Sequence, residues 1–353
     1  MADYKGIKGF KVKSLASDPT ASASTAGQVW YNTTSNTLKV VVDGGAPVGT
    51  WASGGDLTTA RSVLGGAGYA SAGLAFGGKA PPTYPKAALT ESYDGTSWSE
   101  VADLDVARDY VQGAGLQGAA LAIAGSASAP EGGTDTGKTE SWNGASWTEV
   151  ADLSRGAVAP ASGTYGMGCG IQTSALYFGG GEGDGNTLAL NESWDGTSWS
   201  EQGDMNVAKA YGAGIGTSNT SALSAGGLDW IPGSTVNTAS TEEWNGTAWT
   251  EVADLNQGRG FTCGSTLGST TNAIVFGGRD FTAPTVAVSL TEFYNGSTWT
   301  EVADLATGAY GMGCSGTPGG SGAFSAGGAT PSIVAGTEEF VAADYQIKTV
   351  TVS

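Results

Sequence analysis

A fifteen-residue motif, TESWNGASWTEVADL at positions 139–153, carries two glutamates at a fixed spacing. Its near-copies begin at Thr90, Asn191, Thr241 and Thr291. Two carboxylates held close together are the acid and base of glycosidases, so a pair such as Glu91 and Glu100 could in principle do this chemistry. A catalytic centre needs only one pair, whereas this chain has a pair in every copy. We therefore interpret the glutamates as structural or solvent-facing, and we expect no catalytic residue and no enzyme activity.

The chain contains no histidine. This excludes Ser-His-Asp and Cys-His catalysis, and it excludes the usual zinc and copper sites that need imidazole ligands. The three cysteines, Cys169, Cys263 and Cys314, are too few for a full disulfide framework and occupy similar places in their repeats. We interpret them as small buried strand residues rather than redox groups. We expect no metal and no cofactor.

The formal net charge is −18, from 33 acidic and 15 basic side chains. This charge repels phosphate backbones, so nucleic acid is not an expected partner. The first ten residues lack the apolar segment of a secretory signal, and no run approaches the roughly 20 apolar residues of a membrane span. We expect no Sec export and no membrane insertion. Lys5, Lys8, Lys11 and Lys13 crowd the N-terminus; they form either a solvated segment or an arm that anchors the chain to an acidic partner.

The elements that carry these residues repeat with a period near 50. Tryptophans recur at Trp51, Trp98, Trp147, Trp199, Trp249 and Trp299, spaced 47, 49, 52, 50 and 50 residues apart. A paired-glycine signal follows an apolar run in each unit, as in LAFGG ending at Gly78 and IVFGG ending at Gly278. A period near 50 is typical of propeller blades, and six units can be counted. The tryptophans are therefore predicted to be structural.

Each unit predicts four short strands. The fifteen-residue motif reads as two strands joined by Asp-Gly or Asn-Gly, which favours a type I′ turn. Strand alternation then places Glu91, Tyr93 and Trp98 on one face, where the aromatic pair can pack against a neighbouring sheet. Runs of small residues such as YGAGIG and YGMGCG precede this hairpin. They are typical of inner strands that converge on an axis and leave no room for large side chains.

Each unit contains, in this order, an apolar run, Gly-Gly, a long loop, and an aromatic residue followed shortly by Trp. This pattern resembles the kelch repeat over about residues 49–341. The resemblance implies a propeller of four-stranded blades. The chain departs from the kelch pattern in the short spacing from Tyr93 to Trp98. It also departs at the arginine that often follows the Trp strand in kelch repeats. Arg61 and Arg108 occupy this position, and Lys209 occupies it in another unit. Arg155 and Arg259 lie at shifted positions.

The two ends of the repeat region complete each other. The last unit contains GTEEF at 336–340 without a Trp strand, and GTWASGGDL at 49–57 is a Trp strand without a unit before it. Joining these fragments removes an open sheet edge. We predict an all-β fold: a six-bladed kelch-like β-propeller over 49–341, closed by N- and C-terminal strands, whose closing blade is shared by about 49–57 and 306–341.

The segment before the propeller, residues 1–48, is predicted to be an anchor arm and a small β-hairpin. The hairpin has strand QVWYN, turn TTSN and strand TLKVVV, and it resembles a short hairpin near the N-termini of bacteriophage tail-fibre and other virion-surface proteins. The resemblance implies that Trp30 and Tyr31 belong to an anchoring element. The C-terminal segment 342–353 alternates like a strand and could pair with the N-terminal element, for instance with GIKGFKVKSL.

The segments that follow each paired glycine differ between units in length and content, and by propeller geometry they lie on one face. Loops on a rigid scaffold are where recognition concentrates. Residues there that the blade does not need are the candidate ligand-binding set: Tyr84, Lys86, Glu131, Asp229, Trp230, Arg279, Asp280 and Phe281. Aromatic rings beside carboxylates are suited to stacking on sugars, so a glycan is the favoured ligand. The alternative is that each aromatic packs over its own loop.

These features favour a non-enzymatic bacteriophage virion protein, a tail-fibre or surface appendage located on the particle and made in the host cytoplasm. Its N-terminal segment is expected to contact other virion proteins, and its loops a host surface glycan or protein. One alternative is a structural protein that decorates the capsid or tail. A further alternative, an intracellular kelch scaffold for protein partners, is disfavoured by the phage-like hairpin.

Overall fold

A computed structural model of the chain describes residues 12–19, 27–127, 136–154, 165–181, 186–231, 234–282, 286–317 and 322–350. Strands joined by turns, bends and irregular segments make up nearly all of these ranges, and no α-helix occurs within them. The prediction of an all-β fold is therefore confirmed. None of the described segments forms a helix long and apolar enough to cross a membrane. A chain rich in Gly, Ser, Thr and Trp suits short strands and tight turns better than helices.

The strands are numbered in chain order. The first ten are β1 (Lys13–Leu15), β2 (Val29–Asn32), β3 (Thr37–Ser53), β4 (Gly65–Tyr69), β5 (Ala72–Phe76), β6 (Thr90–Tyr93), β7 (Trp98–Glu100), β8 (Arg108–Asp109), β9 (Gln112–Leu116) and β10 (Ala119–Ile123). The next eleven are β11 (Ser126–Ala127), β12 (Thr139–Trp142), β13 (Trp147–Glu149), β14 (Met167–Ile171), β15 (Ser174–Phe178), β16 (Asn191–Trp194), β17 (Trp199–Glu201), β18 (Ala213–Ser218), β19 (Ser221–Ala225), β20 (Leu228–Ile231) and β21 (Ser234–Asn237). The last eleven are β22 (Thr241–Trp244), β23 (Trp249–Glu251), β24 (Cys263–Gly264), β25 (Ala273–Phe276), β26 (Arg279–Asp280), β27 (Val286–Ala287), β28 (Thr291–Tyr294), β29 (Trp299–Glu301), β30 (Gly313–Gly316), β31 (Gly322–Ala326) and β32 (Thr337–Thr349).

The chain divides into two compact units, of which the larger spans Thr50–Val341. The described part of this unit contains five four-stranded antiparallel sheets, S1 to S5 in chain order. Their strand orders are β4-β5-β6-β7 (S1), β9-β10-β12-β13 (S2), β14-β15-β16-β17 (S3), β18-β19-β22-β23 (S4) and β24-β25-β28-β29 (S5). A further sheet, S6, has the order β30-β31-β32-β3 within this unit. Trp51, from the N-terminal side of the repeats, is thus in the strand next to β32.

The core of the larger unit lies between consecutive sheets. Phe76 of S1 packs on Trp147 of S2 with ring centroids 5.0 Å apart, and the indole of Trp147 donates a hydrogen bond to Thr90 Oγ1 at 3.0 Å. The outer-strand tryptophans are buried between neighbouring sheets in the same way, and Trp98 of S1 lies 5.9 Å from Phe324 of S6. Large aromatic rings and aliphatic side chains fill the space between the sheets, whose inner strands are mainly Gly and Ala.

The turn inside the repeated motif differs from the prediction. Tyr93 pairs directly with Trp98, so four residues rather than two connect the strands. Only Gly95 has a positive φ, of 88°, while a type I′ turn requires two such residues. The Asp94 carboxylate accepts hydrogen bonds from the backbone N–H groups of Ser97 and Thr96, which lower its pKa. The type I′ prediction is wrong because the side chain at this position, Asp or Asn, itself provides the turn's acceptor.

The first glutamate of each motif copy is buried and contacts the segment that enters its sheet. Glu140 Oε2 accepts a hydrogen bond of 2.7 Å from the backbone N–H of Asp105, in the segment that enters its own sheet. Glu140 also lies 2.9 Å from the guanidinium of Arg108, and both side chains are fully buried. Arg61 with Glu91 and Arg259 with Glu292 repeat this ion pair in S1 and S5. The burial supports the structural interpretation of these glutamates, because a buried carboxylate with its charge partner and donors in place is a packing element.

Lys209 replaces this arginine in S4 and provides a pH-dependent test. Its Nζ lies 4.0 Å from Glu242 Oε1, and burial, partly offset by the charge of Glu242, lowers its pKa from 10.5 to about 8. Between these two pH values the unfolded chain holds a proton that the folded chain has released, so this residue makes stability rise with pH. We expect the free energy of unfolding to rise by up to about 3 kcal/mol from pH 8 to 10.5, relative to a Lys209→Arg variant. Urea denaturation at several pH values measures this difference, and parallel curves for the two proteins would contradict it.

The cysteine interpretation is right for one residue and wrong for two. Cys169 in β14 is buried and free, and burial raises the pKa of its thiol. Cys263 in β24 and Cys314 in β30 instead form a disulfide, with Cα atoms 6.0 Å apart. Similar positions in two repeats bring these residues together because β24 and β30 lie side by side. The disulfide links S5 to S6 covalently.

The smaller unit consists of the described residues of 1–49 and 342–353. The predicted hairpin is present, with β2 antiparallel to β3, while β1 is parallel to β2. The C-terminal strand β32 lies beside β3, where Val350 N–H donates to Leu38 O at 2.9 Å, and not beside β1. The segment GIKGFKVKSL, named as a possible partner of the C-terminal strand, lies mostly outside the described residues, and its described end, β1, pairs with β2.

The predicted anchoring residues differ in their surroundings. Trp30 is buried, and its indole N–H donates to Asp18 Oδ1 at 3.0 Å, which links the hairpin to the segment before it. Tyr31 and Lys13 are exposed. Lys5, Lys8 and Lys11 lie outside the described residues.

Candidate functional site

Six residues that precede the inner strands have left-handed backbone conformations, and we call them the belt. They are Val63, Tyr110, Tyr165, Tyr211, Phe261 and Gly311, with φ between 51° and 69°. Backbone hydrogen bonds link members from different sheets: Tyr110 N–H donates to Val63 O at 2.7 Å, and Val63 N–H donates to Gly311 O at 2.6 Å. Bulky and β-branched residues rarely adopt this conformation, and such residues cluster at functional sites.

The side chains of the belt and its neighbours form one aromatic cluster. Tyr211 stacks on Phe261 with centroids 4.0 Å apart and on Tyr165 at 4.8 Å. Tyr110 meets Tyr165 edge to face at 4.8 Å, and Phe281 stacks on Phe261 at 5.9 Å. Each ring is only partly buried. The cluster therefore presents aromatic surface at the end of the inner strands where the belt lies.

Two cations border this cluster. The guanidinium of Arg279 lies 4.9 Å from the ring centroids of both Phe281 and Tyr310. Lys79 Nζ lies 5.0 Å from the Tyr110 ring and 2.7 Å from Oδ2 of the buried Asp109. Burial disfavours the charged form of Lys79, yet its contacts with Asp109 and Tyr110 raise its pKa overall.

A cavity of about 370 Å³ opens between these groups, and we call it the aromatic groove. It is lined by Ser62, Val63, Lys79, Tyr84, Tyr110, Phe261, Arg279, Tyr310, Ala329, Pro331 and Ile333. All of these residues belong to the larger unit. The volume is within the roughly 300–1,000 Å³ of small-ligand sites.

The groove can hold a ring-shaped ligand against aromatic faces and place a polar group at a guanidinium. Among the described residues, its lining contains no carboxylate, thiol or imidazole. Within the described ranges, no group of three or more His, Cys, Asp or Glu residues is arranged to hold a metal ion. The chemistry that the lining residues offer is recognition through stacking, hydrogen bonding and charge.

Comparisons with known proteins support the fold only. No protein-family model and no curated protein matches the chain. A solved structure titled "Structure of YjhT" is similar, with a TM-score of 0.64, 14% identity, and coverage of 80% of this chain and 95% of that chain. YjhT is a propeller-like protein. At this identity the likeness shows an all-β fold of four-stranded antiparallel sheets that is compatible with a β-propeller.

The structure brings three of the sequence-predicted ligand residues to the groove region. Tyr84 and Arg279 line the groove, and Phe281 stacks on Phe261 beside it. Tyr84 is 56% exposed, the most accessible aromatic among them. Tyr84 comes from the loop after β5, and Arg279 begins β26, so residues almost 200 positions apart meet at one cavity.

Other predicted ligand residues have internal partners. Lys86 Nζ donates to Ser126 Oγ at 2.6 Å and Ala127 O at 3.0 Å, which ties its loop to the next repeat. Asp280 accepts hydrogen bonds from the Thr282 side chain and backbone, which lower its pKa, and from Asn237 Nδ2 at 2.6 Å. Asp229 accepts a hydrogen bond from Thr187 Oγ1 at 3.3 Å. These polar contacts organise the loops around the groove.

Two further predicted residues cannot be placed in the site. Trp230 lies in β20, where only its backbone is described. Glu131 lies outside the described residues.

Sequence reasoning missed most of the groove. Lys79, Tyr110, Phe261 and Tyr310 line it, but they were not among the predicted ligand residues. The available signal was an aromatic residue directly ahead of the small-residue inner strand, as in DYVQG, TYGMG, AYGAG, GFTCG and AYGMG. The small residues of these strands are explained by close packing. Close packing does not explain why a large aromatic residue comes directly before each strand.

Proposed function

We propose that the larger unit is a six-bladed kelch-like β-propeller closed by the strand that carries Trp51. Three contacts between the first and last repeats support this arrangement. The Val63–Gly311 hydrogen bond continues the belt from S6 to S1, Trp98 packs on Phe324, and the indole of Trp98 donates to Thr337 Oγ1 at 2.9 Å. Trp51 in turn lies 4.8 Å from Phe276 of S5, as the outer strand of a sixth blade would.

We propose that this propeller belongs to a non-enzymatic bacteriophage virion surface or tail-fibre protein, and that the aromatic groove recognises a host surface glycan. The observation that carries the binding role is the set of partly exposed rings around a cavity of about 370 Å³. The phage assignment rests on the resemblance of the N-terminal hairpin. The variable loops that surround the groove favour recognition, because a structural repeat alone does not need their differences.

Binding of labelled full-length protein to candidate bacterial cells and to an array of bacterial polysaccharides tests this function. The informative variant is Tyr84→Asn, because Asn removes the exposed ring and tolerates the left-handed conformation of this position, φ 57°. A matched control is Ile171→Thr, at the 37% exposed end of β14 away from the belt. We expect saturable binding that Tyr84→Asn weakens about tenfold and that the control leaves unchanged.

Absence of binding by the wild-type protein to every cell and polysaccharide would contradict a recognition role. It would favour the alternative of a structural decoration protein that contacts other virion proteins.

A further inference from the structure

Arg279 is the positively charged residue of the aromatic groove that has no acidic partner among the described residues. The other cation of the lining, Lys79, is paired with Asp109 at 2.7 Å. The rings of Phe281 and Tyr310 contact the guanidinium of Arg279, and no carboxylate of the described chain lies within ion-pair distance of it. A guanidinium that rests on ring faces keeps its in-plane N–H groups directed outward, where they fit a carboxylate as a fork.

The repeat itself does not require a cation at this position. Arg279 directly follows a paired glycine, and its backbone forms an isolated β-bridge with Gly260. Gly260 comes directly before Phe261, the belt residue of the same sheet. The corresponding residues after the glycines of the other repeats are Lys79, Ser126, Gly181, Leu228 and Ala329. Small or apolar side chains occupy four of these six positions, so the fold accepts them there. The two cations are therefore additions to the scaffold, and both line the groove.

The geometry of the groove favours a ligand that carries a planar, negatively charged group. Asp109 lies 2.7 Å from Lys79 and 3.6 Å from Lys86, so its charge is compensated within the protein. Arg279 is the cation of the lining that has no acidic partner among the described residues. The planar guanidinium also matches a planar carboxylate in geometry.

On the basis of the proposed glycan-binding function, we propose that the aromatic groove selects a sugar residue that carries a carboxylate, a uronic acid. The carboxylate is bound by Arg279, and the sugar ring lies against the exposed aromatic faces beside it, such as Tyr84. Ala329 is also in the lining, and its small side chain leaves space for the sugar ring. The groove thereby distinguishes a sugar whose exocyclic carbon is a carboxylate from one that has a hydroxymethyl group at this position.

Matched saccharide pairs test this proposal. Methyl uronides of glucose, galactose and mannose are compared with the corresponding neutral methyl pyranosides by ligand-observed NMR titration of the full-length protein. We expect at least one uronide to bind about tenfold or more tightly than its neutral partner, because a charge-assisted fork is lost in the neutral sugar. Arg279→Ala, which copies Ala329, should abolish this preference while the thermal unfolding midpoint stays unchanged. Arg279→Lys, which keeps the charge and loses the fork, should retain only part of it.

Several outcomes would overturn the proposal while leaving the proposed function intact. They are equal affinity for uronides and neutral sugars, a preference that persists in Arg279→Ala, and tighter binding of glucose 6-phosphate than of any uronide. Saturable binding to cells without binding to any of these saccharides would likewise overturn it, and would indicate a different receptor. Absence of binding to both cells and saccharides would contradict the proposed function as well.

Discussion

Replacement of Arg108 by Met is expected to lower the free energy of unfolding by about 3–5 kcal/mol, because it leaves the carboxylate of Glu140 buried without its charge partner. Both side chains are fully buried, 2.9 Å apart, and Arg108 Nη1 also donates to Lys138 O at 2.6 Å. The substitution therefore removes an ion pair and a backbone contact that together hold the β10 and β12 region of S2. Guanidinium chloride denaturation followed by tryptophan fluorescence measures the change.

Two control variants separate the buried charge from lost packing. Arg108→Met combined with Glu140→Gln removes both charges and should recover part of the loss, because no uncompensated carboxylate remains. Arg108→Lys copies the residue that S4 uses at Lys209, and it should cost less than Arg108→Met. A loss below about 1 kcal/mol for Arg108→Met would show that the Arg108–Glu140 ion pair does not stabilise the sheet substantially.

Removal of the Cys263–Cys314 disulfide is the second large expected effect, about 4 kcal/mol of unfolding free energy. The cysteines are 51 residues apart, and a cross-link of this length reduces the conformational entropy of the unfolded chain by roughly that amount. The Cys263→Ala, Cys314→Ala double variant should show the loss in chemical denaturation under non-reducing conditions. Reduction of the wild-type protein should lower its stability by a similar amount and leave the double variant unchanged.

Thiol counting provides an independent check on the disulfide. Unreduced wild-type protein unfolded in denaturant should react with one equivalent of a thiol reagent, at Cys169, and with three after reduction. Three reactive thiols without reduction would contradict the disulfide.

The four-stranded antiparallel sheets were predictable because they are repeated. Each copy of the motif places an aromatic residue and a tryptophan opposite each other, and the structure pairs Tyr93 with Trp98 in the expected antiparallel register. The period of the sequence reveals such elements because the same packing contacts are needed in each sheet. The turn was mispredicted for a local reason, since Asp94 or its equivalent accepts the backbone hydrogen bonds that a type I′ turn would have arranged differently.

The candidate site was predictable only in part. Phe281, Arg279 and Tyr84 could be found from the sequence because they stand in segments that differ between repeats. Tyr110 and Phe261 could not be found in this way, because they occur at a position that is aromatic in most repeats and so resembles scaffold. Lys86 and Asp280 were misleading, because each is held by a polar group from a residue about 40 positions away in the chain.

The sequence by itself determined the all-β character, the repeat and the hairpins within it, since short-range patterning and hydrophobic spacing govern these features. Only the tertiary structure decided which side chains converge. It placed Lys79, Arg279 and Tyr310 around one cavity and joined Cys263 to Cys314. The physical reason is that these contacts depend on how adjacent sheets are placed around the inner strands, and this placement brings together residues that no local pattern relates.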